Sequence, residues 1–213
     1  MQVDKSEILR YLGYRTQTPD EVVEQKIDEC IHTLEQQTEP KSIYRAFDLE
    51  CLEPDKLWIA DASIDSRDLS KNLIGCEKVY LMAATLGLGV DRLIARASAV
   101  RISDAVIYQA AAAAMIEAYC NEVNEAVRKE AELLGLYCRP RFSPGYGDFS
   151  IMHQRDFSRL LDTPRKIGLT VTESMLLVPI KSVTAVIGLS QKLTHCQQKD
   201  CEACGKMDCI YRR

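Results

Sequence analysis

Apolar residues recur at helical spacing in two stretches of the chain, and each stretch has start and stop signals. The first begins at Thr18, the expected N-terminal cap, and ends before Pro40. The second begins at Ser103, again the expected cap, and runs to about Leu134, after which Gly135 is the stop signal. The pattern therefore predicts two amphipathic helices, of which the second is the longest in the chain.

Other segments have the hydrophobic pattern of strands. Residues 41–49 mix β-branched and aromatic side chains with polar ones, whereas residues 78–85 are continuously hydrophobic and predict a central strand. Two more β-prone segments, 169–172 and 181–189, follow a helix expected over 150–161. Helices and strands alternate without a regular βαβ repeat. We therefore expect an α+β fold with a twisted, mainly antiparallel sheet.

The chain divides most simply into one domain, residues 1–192, and a cysteine-rich tail, residues 193–213. Its 27 basic and 31 acidic residues are well mixed and leave a net charge of -4, which argues against binding nucleic acid by phosphate neutralisation. No apolar run is long enough for a membrane span, and the N-terminus lacks a secretory signal. We expect a cytoplasmic protein whose nine cysteines are thiols, free or metal-bound.

A strand followed by Gly87, Leu88, Gly89 and a helix is open to two interpretations. The order resembles a dinucleotide-binding loop, but the third glycine of that fingerprint falls at Arg92, and no acidic residue follows at the required distance. The sequence therefore favours a plain tight turn over a nucleotide-binding loop.

The segment from Arg141 to Asp148 concentrates residues that can carry chemistry. A proline and two glycines, Gly145 and Gly147, fix an unusual backbone path. Arg141 can bind a carboxylate through two parallel hydrogen bonds, and Tyr146 offers a flat face and a hydroxyl. This chemistry suits a zwitterionic, partly aromatic small molecule. The alternative is a proline-glycine turn with solvated charges.

Glu117 extends a stripe of mostly small residues on the long helix, together with Val106, Ala110 and Ala113. A carboxylate in that position lies either at the edge of the core, facing water, or in a pocket. Spacing alone favours the edge.

The tail contains four closely spaced thiols, in the pattern C-x4-C-x2-C-x4-C: Cys196, Cys201, Cys204 and Cys209. Thiolates at such spacings can bind zinc or an iron–sulfur cluster, although the spacing matches neither standard motif. The alternative is an oxidation-prone tail without metal.

The loop sequence R-F-S-P-G-Y resembles the R-P-A-P-G-Y signature of the activation domain of cobalamin-dependent methionine synthase. Further segments similar to that family follow in its order and nearly its spacing: Glu117-Ala118-Tyr119, Val127-Arg128-Lys129, Thr172-Glu173-Ser174, Pro179 and Ser182-Val183. The chain is shorter than the family's domain and resembles its freestanding, single-domain form.

The resemblance implies that the domain binds S-adenosylmethionine and presents its methyl group to cobalamin held by the cobalamin-binding module of methionine synthase. A flavodoxin-like or other donor would supply an electron, so that oxidised cobalamin is reductively methylated. An iron–sulfur cluster on the tail could pass that electron, whereas zinc there would be structural.

The resemblance also implies roles for individual residues. Arg141 would hold the carboxylate of the methionine moiety, and Tyr146, the catalytic candidate, would lie near the methyl group and the corrin. Glu117 would face the ligand at the ribose or the ammonium group, which reverses the preference from spacing. Further ligand-binding positions in the loop would offer backbone contacts: Gly145, Gly147 and Asp148.

Two alternative functions stay open, and two departures from the family pattern motivate the first of them. A second glutamate has no match near Gly135, and a tyrosine is missing from residues 191–194. One alternative is a non-catalytic, metal-stabilised binding or sensor module that docks on a corrinoid protein. The other is an activator of a different corrinoid methyltransferase.

Overall fold

A computed structural model describes residues 3–14 and 18–192. Within these ranges seven α-helices form, together with one 3-10 turn at Ile151–His153. The helices are α1 (Lys5–Tyr11), α2 (Glu21–Gln37), α3 (Arg67–Asn72), α4 (Leu88–Val100), α5 (Ile102–Leu133), α6 (Gln154–Leu161) and α7 (Thr163–Ile167).

Six of the eight strands in the described ranges form one antiparallel sheet with the order β3-β2-β1-β4-β8-β5, and β6 and β7 pair separately. The strands are β1 (Lys41–Glu53), β2 (Lys56–Ile59), β3 (Ala62–Asp65), β4 (Cys76–Thr85), β5 (Tyr137–Cys138), β6 (Thr170–Val171), β7 (Leu177–Val178) and β8 (Ser182–Ser190). The predicted α+β class, antiparallel sheet and long helix are confirmed. β4 lies between β1 and β8, so the predicted central strand is confirmed as well.

Helices cover both faces of the sheet, which explains why β4 is hydrophobic throughout. Tyr80 and Met82 pack in a core with α1, α2, α4 and α5, whereas Val79 and Leu81 pack in a second core with α3, α6 and α7. Successive side chains of a strand point to opposite faces, so a strand covered on both sides needs apolar residues at every position.

The helix starts differ from the sequence prediction in two places. The cap of α2 is Asp20, whose carboxylate accepts a hydrogen bond from the Val23 amide at 2.8 Å, and not Thr18. The predicted cap Ser103 lies inside α5, because α4 ends at Val100 and the extended residue Arg101 alone separates the two helices. At Ser103, the local capping preference is outweighed by the sharp junction between α4 and α5.

Backbone conformation and chain packing explain why residues 87 and 89 are glycines. Gly87 adopts a φ of +87°, and a Cβ atom on Gly89 would lie 2.2 Å from the carbonyl oxygen of Gln37. The second glycine therefore lets α4 approach the end of α2 closely. This contact supports the tight-turn interpretation of the Gly-x-Gly segment.

Candidate functional site

The loop over 141–148 is attached to the sheet at its first end. Phe142 forms a β-bridge with Val186 of β8, in which the Phe142 amide donates to the Val186 carbonyl at 2.9 Å. The Val186 amide donates back to the Phe142 carbonyl at 2.8 Å. The loop thus starts as a short extension of the sheet beside β8, and the chain turns away from the strand immediately afterwards.

The other end of the loop is attached to α3 through Asp148. Its carboxylate accepts hydrogen bonds from the Ser66 hydroxyl at 2.5 Å, from the Arg67 amide at 3.0 Å and from the Asp68 amide at 3.1 Å. The Ser66 hydroxyl and these amides hold the pKa of the Asp148 carboxyl below its ordinary value of 3.8. The side chain of Asp148 therefore positions the loop. A backbone contact from Asp148 to a ligand remains a prediction.

The two loop glycines have the unusual backbone conformations predicted from the sequence. Their φ angles are +96° at Gly145 and +54° at Gly147. A Cβ atom on Gly147 would also lie 2.5 Å from the carboxylate of Asp68. The Gly145 amide donates to the Phe149 carbonyl at 2.8 Å, so the backbone group that Gly145 can offer a ligand is its carbonyl.

Arg141 lies against α5, where it meets Glu117. Its Nη2 atom donates to a Glu117 carboxylate oxygen at 3.2 Å and to the side-chain oxygen of Asn121 at 3.1 Å. The Arg141 side chain is only 16% exposed, whereas that of Glu117 is 46% exposed. Glu117 thus combines both sequence expectations, since it faces water at the edge of the helix and also lines a cleft with Arg141.

The cleft has a volume of about 190 Å³ and lies between the loop, α5, the start of β8 and the start of α6. Three of the predicted residues line it together: Arg141, Glu117 and Tyr146. Tyr146 is 58% exposed. Gln154 and Thr184 also line the cleft, and neither was predicted from the sequence. A neutral amide on a helix and a hydroxyl on a strand carry no recognisable motif.

Three polar atoms of the cleft residues are buried and have no hydrogen-bond partner within 3–14 and 18–192: Arg141 Nη1, Gln154 Oε1 and Thr184 Oγ1. A buried polar group without a partner costs about 1–3 kcal/mol, and most such groups in folded proteins are paired. Three such atoms lie on residues around one cleft, where a polar ligand or water can complete their hydrogen bonds.

The backbone of Thr184 adds to this polar surface. Hydrogen-bonding groups of a strand alternate between its two sides, and Val186 and Gly188 direct theirs to the side of the loop segment. Thr184 therefore directs its amide and carbonyl to the same side.

The described cysteines are unlike metal ligands or nucleophiles. Burial raises the pKa of the Cys120 thiol to about 12 and that of Cys138 to about 11, so both are protonated at neutral pH. Across 3–14 and 18–192, no three His, Cys, Asp or Glu side chains are grouped so that they could hold a metal ion. The four predicted metal ligands lie outside the described residues: Cys196, Cys201, Cys204 and Cys209.

Over the same described ranges, no helix is both long enough and apolar enough to span a lipid bilayer.

Fold and cleft together define an α+β domain in which an arginine-bearing loop closes a polar cleft at the edge of an antiparallel sheet. A sequence model of the family "Vitamin B12 dependent methionine synthase, activation domain" matches residues 14–199. The chain belongs to this family, which confirms the resemblance found in the sequence. No curated protein sequence matches the chain.

The fold is similar to that of a solved relative, described as the crystal structure of the MetH reactivation domain bound to AdoHcy. The TM-score is 0.68 at 17% sequence identity, and the match covers 91% of this chain and 76% of that chain. At this identity the similarity establishes a shared fold.

The anchoring role of Asp148 predicts a pH-dependent loss of stability on substitution. Because its pKa is lower in the folded state, its stabilisation is present above about pH 4 and is lost as the pH falls through the folded pKa. We expect Asp148→Asn to lower the melting temperature at pH 7, and the difference from the wild type to shrink as the solution is acidified below pH 4.

The matched control for this experiment is Asp65→Asn. Asp65 lies on the neighbouring strand β3 and makes no side-chain hydrogen bond to the described part of the chain. We expect its melting curve to follow that of the wild type. A difference between Asp148→Asn and the wild type that stays constant from pH 7 to pH 2.5 would contradict the proposed role of the carboxylate.

Proposed function

We propose that this protein binds S-adenosylmethionine in the cleft at Arg141 and presents the methyl group to cobalamin carried by a partner protein. The observation that carries this proposal is the Nη1 atom of Arg141, a buried cationic donor without a partner in the described residues. Membership of the activation-domain family and the AdoHcy bound to the related MetH domain support the same ligand class.

Arg141 would bind the carboxylate of the methionine moiety. Its Nη2 atom is already fixed by Glu117 and Asn121, so the guanidinium is held in place while Nη1 stays available. A guanidinium held in this way loses little further entropy when it binds a carboxylate, and a charge-assisted hydrogen bond is stronger than a neutral one. Glu117, which forms an ion pair with Arg141, would also face the ligand.

Tyr146 would lie beside the methyl group and the corrin, because it stands exposed where the cleft opens to solvent. Two more exposed apolar side chains, Ile151 and Met152, follow the loop, and Ile151 lies within 4 Å of the position of a Cβ atom on Gly145. A broad, partly apolar surface of this kind suits a corrin ring. Gly145, Gly147 and Asp148 would contribute backbone contacts.

In the proposed reaction the protein positions the methyl donor and the acceptor, and no general acid or base is needed. The sulfonium methyl passes to cobalt that an external donor has reduced by one electron, and S-adenosylhomocysteine is left. Alignment of the methyl group with an approaching partner is the protein's part, and holding two reactants in the right geometry is itself a large contribution to rate.

The partner would be the cobalamin-binding module of methionine synthase, and the electron donor a flavodoxin-like or other reductant. We infer a cytoplasmic location, where thiols stay reduced. Residues 1–192 would act as one domain and 193–213 as a separate tail.

The tail cysteines would bind a metal, as an iron–sulfur cluster that passes the electron or as structural zinc. Iron and zinc analysis of anaerobically purified protein tests this, with a variant in which Cys201 and Cys204 are both changed to Ser as the control. We expect about one cluster or one zinc per chain in the wild type and none in the variant. A wild type free of both metals after reconstitution would contradict it.

Ligand binding is tested by thermal melting with S-adenosylmethionine. A ligand at 100 times its dissociation constant stabilises by about 2.7 kcal/mol, which raises the melting temperature of a protein of this size by roughly 5–10 °C. We expect this shift in the wild type and its loss in Arg141→Ala. Arg165→Ala is the control, because Arg165 is highly exposed on α7 and outside the cleft. Equal shifts in the wild type and Arg141→Ala would exclude this site.

The activity itself is tested by reactivation. Cobalamin-bound, inactivated methionine synthase without its own activation domain should regain activity only when this protein, S-adenosylmethionine and a reductant are all present. We expect Tyr146→Ala to reduce the reactivation rate at least tenfold while S-adenosylmethionine still raises its melting temperature. Stable association without reactivation would favour the non-catalytic docking module instead.

A further inference from the structure

Gln154 and Thr184 are two cleft residues that the family signature leaves without a role. Gln154 is the first residue of α6 and is 8% exposed, and Thr184 lies on β8 and is 3% exposed. Both line the cleft next to Arg141, and both have a buried side-chain oxygen without a partner in the described residues. Polar atoms that are buried and unpaired in the ligand-free protein are expected to find their partners when the site is filled.

The two residues come from separate elements that the fold brings to one place. Side chains of a strand alternate in direction, so Thr184 shares a face of β8 with Val186, which packs in the core that contains Phe157 of α6. Gln154, one turn before Phe157, reaches the same side of the sheet. The Arg141 loop pairs with β8 at Val186, and Arg141 lines the same cleft while it contacts α5, which packs on the other face of the sheet.

The unpaired groups match the end of an α-amino acid. Arg141 Nη1 and the Thr184 hydroxyl can both donate to a carboxylate, and the Gln154 carbonyl can accept from an ammonium group. We propose that Thr184 binds the carboxylate beside Arg141 and that Gln154 binds the ammonium group of the same ligand. This inference rests on the proposed function, and it leaves Glu117 for the ribose hydroxyls.

A purely structural role and a binding role predict different effects of the same substitutions on ligand affinity. If Thr184 and Gln154 served only packing, apolar residues of similar size would remove unpaired polar atoms and would leave both the fold and ligand binding intact. If they bind the ligand, the same changes leave the ligand-free protein at least as stable but weaken binding. Residues kept for binding at the expense of stability show this separation.

The test compares two ligands by calorimetric titration of the full chain. S-adenosylhomocysteine carries the amino-acid end, and 5′-methylthioadenosine lacks it but keeps the adenosine part. We expect Thr184→Val and Gln154→Leu each to weaken S-adenosylhomocysteine binding at least tenfold and to change 5′-methylthioadenosine binding less than twofold. The conservative variants Thr184→Ser and Gln154→Glu, which keep a donor and an acceptor, should bind S-adenosylhomocysteine within about threefold of the wild type.

Three results would overturn the inference, and they are distinguishable. Wild-type affinity for S-adenosylhomocysteine in both apolar variants would remove the two residues from the site while the proposed function stands. Equal losses for both ligands would show general damage to the cleft and not recognition of the amino-acid end. A wild type that binds neither S-adenosylmethionine nor S-adenosylhomocysteine would overturn the proposed function together with this inference.

Discussion

The candidate site depends on a loop that is held at both ends by hydrogen bonds to distant parts of the chain. At one end Phe142 pairs with Val186 across the edge of the sheet, and at the other Asp148 binds the first amides of α3. Between these anchors only five residues lead from the sheet to α3. A short segment fixed at both ends has little freedom, so Arg141 and Tyr146 stay in defined positions without a ligand.

The fixed loop also determines where the positive charge of Arg141 lies in the cleft. Arg141 is pressed against α5, where Glu117 and Asn121 occupy one nitrogen of its guanidinium and leave the other buried and unpaired. A neighbouring carboxylate keeps the cation favourable in a partly buried site, while the free nitrogen retains its capacity for an anion. The ion pair therefore orients the arginine through one nitrogen and leaves the other nitrogen for a ligand.

Predictions from the sequence were most accurate for features that depend on a single helix or strand. The continuous apolar run of β4 predicted a central strand, and the spacing of apolar residues along α5 predicted its length within a few residues. The capping signals failed at Thr18 and Ser103, since a competing aspartate and a sharp interhelical junction decide where those helices begin.

The site was predictable only in part, for a physical reason. Arg141 could be singled out because it begins a proline-glycine loop, whereas Glu117 was assigned to the ligand only through the family resemblance, since its spacing favoured the edge of the core. Gln154 and Thr184 have ordinary surroundings along the chain, and their importance lies in unpaired atoms that exist only once β8, α6 and the loop meet. Polar atoms that become unpaired only when the chain is folded cannot be recognised from the spacing of residues in the sequence.

Hydrogen–deuterium exchange of the full chain with and without S-adenosylhomocysteine shows whether the ligand binds in the cleft at Arg141. We expect the ligand to slow exchange at the amides of residues 141–154 and 182–186 and to leave the opposite end of the sheet, around Cys76 and Ser190, unchanged. Slowed exchange confined to that opposite end, or no change at saturating ligand, would contradict the assignment of the cleft.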